Sequence, residues 1–114
     1  MSDAPFDLSK VMEQAQQLQE RMQRAQEELR HREVEATVGG GMVTARANGR
    51  MELIKLEIDP QAVDPRDVEM LQDLIIAAIN QVMTRAQEMV QQELQTVTGG
   101  LPIANLFSGL GRGG

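Results

Sequence analysis

The sequence predicts an α+β fold in which two long helices flank a three-stranded antiparallel meander. Three observations predict it. Between Arg32 and Asp59 apolar residues recur at every second position, the period of a strand with one buried face. Outside that stretch they recur at helical spacing, behind a capping Asp7 on one side and Asp64-Pro65 on the other. Gly39-Gly40-Gly41 and Asn48-Gly49 cut the alternating stretch into three.

Met1 to Pro5 reads as a loose end, and the first helix begins near Leu8. Val11, Ala15, Leu18, Met22, Ala25 and Leu29 follow the alternating four-and-three spacing of a coiled-coil seam, amid glutamines. Such a narrow stripe on a rod of roughly 37 Å predicts a helix that projects or pairs with another helix. Glu20 with Arg24, and Glu28 with Arg32, have the favoured i,i+4 orientation of helical ion pairs. His31, at the helix end, reads as a surface or capping residue.

Three alternating runs follow: Val34, Ala36, Val38; Val43, Ala45, Ala47; and Ile54, Leu56, Ile58. Asn48-Gly49 between the last two predicts a two-residue type I′ turn. Pro60 ends the third strand, since it cannot donate to a ladder. Asp64 is expected to cap the second helix, with Pro65 at its first position and Asp67 near the positive helix end. Val68, Leu71, Leu74 and Ile75 to Ile79 crowd nearly the whole circumference of this helix; beyond Met83 the pattern thins to the stripe Ala86, Met89, Val90, Leu94, Val97. The thinner half is expected to pair antiparallel with the first helix. The broad belt exceeds what three strands can cover, which predicts an obligate homodimer, intertwined or closely packed. Residues 1–98 thus form one domain, and the glycine-rich 99–114 is expected to be a flexible tail.

Composition excludes much chemistry. There is no Cys and no Tyr, and His31 is the single histidine. Disulfides, thiolate metal sites and cysteine nucleophiles are therefore out. Asp59 and Asp64 read as a strand terminator and a helix cap, and Gly39-Gly40-Gly41 lacks the GK[ST] ending of a phosphate loop. The expectation is a binding protein with no enzymatic role, no cofactor and no metal. No leader opens the chain and no apolar run approaches ~18 residues, so the expected location is cytoplasmic, with no membrane partner.

Net charge is −6, against a strongly electrostatic hold on nucleic acid. Its distribution is uneven. From Leu8 to Arg32, five cations (Lys10, Arg21, Arg24, Arg30, Arg32) face four carboxylates, whereas from Pro65 to Val97 only Arg66 and Arg85 face five. An anionic partner would prefer the first helix.

Several segments stand in a distinctive order: Met12-Glu13-Gln14-Ala15-Gln16-Gln17-Leu18-Gln19 with Met22-Gln23, Gly41-Met42-Val43, Asn48-Gly49, Leu56-Glu57-Ile58-Asp59-Pro60, and Glu69 to Ile75 with Ala77-Ala78. Their order and spacing are similar to the YbaB/EbfC family of bacterial nucleoid-associated proteins over nearly the whole chain. The resemblance implies a homodimer with projecting, tweezer-like helical arms and a DNA-binding role in organising the nucleoid or modulating transcription. Beside it, Lys10, Arg21, Arg24, Arg30 and Arg32 on the first helix and Arg85 on the second are the candidate contacts to double-stranded DNA. With no base-reading element evident, binding is expected to depend weakly on sequence. The competing class is a coiled-coil chaperone or assembly factor clasping a protein client through Met12, Met22, Met83 and Met89. A recombination or replication protein as a further partner stays open.

Overall fold

The structure, a computed structural model, describes residues 7–99. The expectations for Met1 to Pro5 and for the tail from residue 100 onward lie outside those residues. Helix α1 (Leu8–His31) leads into strands β1 (Glu33–Val38), β2 (Val43–Asn48) and β3 (Leu53–Ile58), then a single 3-10 turn (Pro60–Ala62) and helix α2 (Val68–Thr98). The strands form one antiparallel sheet in the order β1-β2-β3, the meander expected from the alternation.

Asp7 caps α1, its carboxylate accepting from the Ser9 amide at 3.0 Å. The strand register sets Ala36 opposite Ala45 opposite Leu56, and Val38 opposite Val43 opposite Ile58, so one face of the sheet is apolar throughout. Helix α2 lies across β1 and β2 and closes this face with Ala78, Val82 and Ala86. The core is built of small residues: Val43 and Val82 are its largest fully buried side chains. Alanine at Ala36, Ala45 and Ala78 lets helix and sheet approach closely, but little apolar area leaves water in the process. The outer face is polar, with Thr37 and Thr44 hydroxyls 3.1 Å apart and Arg46 bound to Glu35 at 2.9 Å.

Three elements differ from the sequence expectation. First, Asn48-Gly49 does not make a two-residue turn. The loop is Gly49-Arg50-Met51, closed by Asn48 and Glu52, and the residue at positive φ is Met51 (64°). Asn48 organises this loop with its side chain: its Oδ1 accepts from the Arg50 and Glu52 amides at 2.9 and 3.2 Å, and its Nδ2 donates to Glu52 at 2.9 Å. Gly49 serves another purpose. Its amide donates to the Leu29 carbonyl of α1 at 2.9 Å, and a Cβ there would stand 2.7 Å from the Leu29 Cβ.

Second, the register slips between Arg46 and Ala47, so Ile54 becomes the extra residue of a bulge and falls out of the stripe that keeps Leu56 and Ile58. Third, α2 starts at Val68 and its cap is Asp67, whose carboxylate accepts from the Met70 amide at 3.2 Å. Asp64 is already committed to a separate turn through Pro65, taking the Arg66 amide and its Nε at 2.9 and 3.2 Å. Asp59 likewise caps the 3-10 turn at the Gln61 amide.

Gly49→Ala is expected to destabilise the fold by about 1–3 kcal/mol, because the added methyl meets backbone that cannot move aside. Met51→Gly removes a left-handed side chain and is expected to be neutral or to stabilise by up to ~1 kcal/mol. Urea denaturation of the two variants reads both signs.

Candidate nucleic-acid interface

Helices α1 and α2 run antiparallel, as the paired stripes predict. Near the sheet they are latched by Arg32, whose guanidinium meets the Glu93 carboxylate at 3.1 Å. Further out, Arg21, Arg24 and Ala25 of α1 share a groove with Glu93, Thr96 and Val97 of α2. On the other flank a groove of about 520 Å³ opens between Met22, Leu29 and Arg30, the hairpin tip at Gly49-Arg50, and Val90 and Leu94. Beyond Thr98, α1 continues without a described partner. Of its seam, Ala25 and Leu29 are buried, while Leu8 and Val11 are exposed.

The six cations proposed from the sequence fall into two groups. Arg30, Arg32 and Arg85 are engaged. Arg30 pairs with Glu27 at 3.5 Å, and Arg85 reaches from α2 to donate to the Glu35 backbone carbonyl on the edge of β1. Arg32 leaves the helical track as the C-cap (φ −83°, ψ 139°), which takes it away from Glu28 and delivers it to Glu93. The Glu28–Arg32 and Glu20–Arg24 pairs are both absent among the described residues. Lys10, Arg21 and Arg24, by contrast, are exposed and in no ion pair among the described residues. At 3.6 residues per turn these three project within about 60° of arc, so they share one face of α1 beside the apolar seam.

Arg50 is a cation that the sequence reading missed. It sits exposed at the hairpin tip, across the groove from Arg30. The signal was present as an Arg directly after a turn dipeptide, yet only the folded hairpin carries it to α1. On the outer sheet face the Glu35 hydrogen bond, helped by the Glu35 charge, raises the Arg46 pKa above its ordinary value, so Arg46 stays a committed partner of carboxylates. Of the four methionines considered for a protein client, Met89 is buried and Met83 packs against the core. Met22 lines the groove and Met12 is exposed. Among the described residues no three His, Asp or Glu side chains gather as a metal site requires, and no helix is long and apolar enough to cross a membrane.

The profile of the YbaB/EbfC DNA-binding family matches residues 4–101, spanning both helices and the sheet between them. The chain belongs to this family. Its relatives include a nucleoid-associated protein of Thermoanaerobacter sp., 53% identical over 102 residues that cover 90% of this chain and 92% of the relative. Another is a nucleoid-associated protein of Pelotomaculum thermopropionicum, 52% identical over 101 residues, with coverage of 89% and 96%. The fold recurs in the crystal structure of a Helicobacter pylori protein, with a TM-score of 0.66 at 24% identity over 76% of this chain and 91% of the other.

The Arg32–Glu93 latch is open to a double-mutant cycle. Arg32→Gln and Glu93→Gln are each expected to lose about 0.5 kcal/mol or less in urea melts, and the pair together no more than either alone.

Proposed function

We propose that this protein is a nucleoid-associated protein that binds duplex DNA as a homodimer, with low sequence specificity, through cations on its helical arms. The observation that carries the reading is the single face of α1 that presents Lys10, Arg21 and Arg24, in no ion pair among the described residues, in a chain of net charge −6. Glu28 and Glu93 line the same groove as Arg21 and Arg24 but pair with neither, so these cations remain available to an anionic backbone. Family membership supplies the partner class. Arg30, Arg32 and Arg85 contribute less in this reading, because binding DNA costs them an existing partner. A nucleoid location, as in the names of the relatives, follows from the same reading.

The homodimer is supported by what the fold leaves uncovered. Helix α2 spans β1 and β2, while β3 makes only marginal contact with it. Leu53 and Ile54 on β3 and Val68 and Ile76 on α2 are exposed, Ile76 to 57%. A core of alanines and valines gives a single chain little to stand on, so burying these side chains against a second copy is the economical completion. Two arms held by such a body would straddle a duplex and contact phosphates on both sides.

Binding to duplexes of unrelated sequence is expected to weaken steeply with salt in mobility-shift titrations. Arg21→Ala with Arg24→Ala removes four side chains per dimer and is expected to flatten the slope of log K against log salt by about 3.6. Salt-independent binding would overturn the phosphate reading. Ile76→Asp is expected to weaken self-association on the order of 30-fold or more by sedimentation, while Thr44→Asp on the polar outer face leaves it intact.

A further inference from the structure

Among the described residues the seam of α1 is used as a helix-contact surface over only half its length. Ala25 and Leu29 pack inside the fold, but the same stripe continues through Leu18, Ala15, Val11 and Leu8, with Met12 beside it. Leu8 is 61% exposed and Met12 59%. The reason is geometric. Thr96 and Val97 lie level with Arg21 and Arg24, and α2 ends at Thr98, so among the described residues about 20 Å of α1 from Glu20 back to Leu8 has no element opposite it.

We propose that this half of the seam is the docking site of the same chain's C-terminal segment, Leu101–Leu110. Because α2 runs antiparallel to α1, the chain leaves Gly99 beside the inner end of the bare stripe. Fifteen residues follow, and extended they reach about 50 Å, more than twice the span to be covered. They carry Leu101, Ile103, Leu106, Phe107 and Leu110, no acidic side chain, and a single basic one, Arg112. Pro102 opposes simple continuation of α2, so an extended strap suits the sequence better than a longer helix. A second copy's α1 fits less well, since the bare stripe spans only about two heptads where a stable coiled coil needs three or four. Tethering adds an effective concentration in the millimolar range, which lets a few apolar contacts suffice. The strap covers the stripe beside Lys10, Arg21 and Arg24 and leaves their face open; it does not rest on DNA binding.

The chain lacks cysteine, so Ser108→Cys in the full-length protein gives one attachment point for a nitroxide. Amide resonances of Val11, Ala15 and Leu18 are expected to lose intensity, those of Thr44 and Lys55 to keep it, and reduction of the nitroxide to restore the loss. Adding Leu106→Ser and Phe107→Ser to the labelled chain is expected to abolish the broadening and to speed hydrogen exchange of the same α1 amides. Absence of selective broadening overturns the proposal, as does broadening that survives the double substitution. So does broadening of isotope-enriched, unlabelled chains mixed with spin-labelled ones, since the strap would then come from another molecule.

Discussion

The hydrogen bond from the Gly49 amide to the Leu29 carbonyl joins the two halves of the molecule. The last carbonyls of a helix have no partner of their own, and that of Leu29 is finished by the tip of the β2–β3 hairpin in addition to a longer contact from Arg32. The bond requires backbone against backbone, which is why no side chain fits at position 49. Everything that α1 does outside the sheet follows from it. With its C-terminal turn held at Gly49 and its cap residue drawn to Glu93, the helix has one direction in which to leave the body.

The rest of the fold divides its apolar residues between two tasks. Small side chains close the contact between α2 and the sheet, and larger ones, Ile76 and Leu53 among them, remain outside it. A chain that kept its large apolar residues for a solitary core would reverse this distribution. Charge is divided in the same manner. Cations near the body neutralise carboxylates or cap a strand edge, as Arg46 and Arg85 do, whereas Arg21 and Arg24 stand where α1 passes the end of α2 and Lys10 lies beyond it, in no ion pair among the described residues.

Much of this was legible in the sequence because it depends on periodicity. The coiled-coil spacing of α1, the alternation in β1 and β2 and the change from belt to stripe in α2 each reflect a single local geometry, and each is where the pattern put it. What misled was punctuation. Asp64 and Asp67 are both competent caps, and the choice between them lies in the turn that Pro65 and Arg66 make, not in either aspartate. Asn48-Gly49 has the composition of a tight turn, but Asn48 is used for its side-chain hydrogen bonds and Gly49 for its lack of a side chain near α1, a contact between residues distant in sequence. The same distance hid the Arg32–Glu93 latch and the placement of Arg50. The cations of the candidate interface could be named from the sequence, whereas their sorting into paired and unpaired needed the fold.

The hairpin tip also bears on chemical ageing. Asn-Gly is the dipeptide most prone to deamidation, in which the glycine nitrogen attacks the asparagine side-chain carbonyl and a succinimide forms. In the folded chain both reactants are held: the Gly49 amide is directed at Leu29, and the Asn48 Oδ1 is fixed by the Arg50 and Glu52 amides. The fold therefore shields the dipeptide from this reaction. Deamidation at Asn48 records the time a molecule has spent with this hairpin frayed, and the aspartate or isoaspartate it leaves, lacking the Nδ2 donor to Glu52, makes refastening harder.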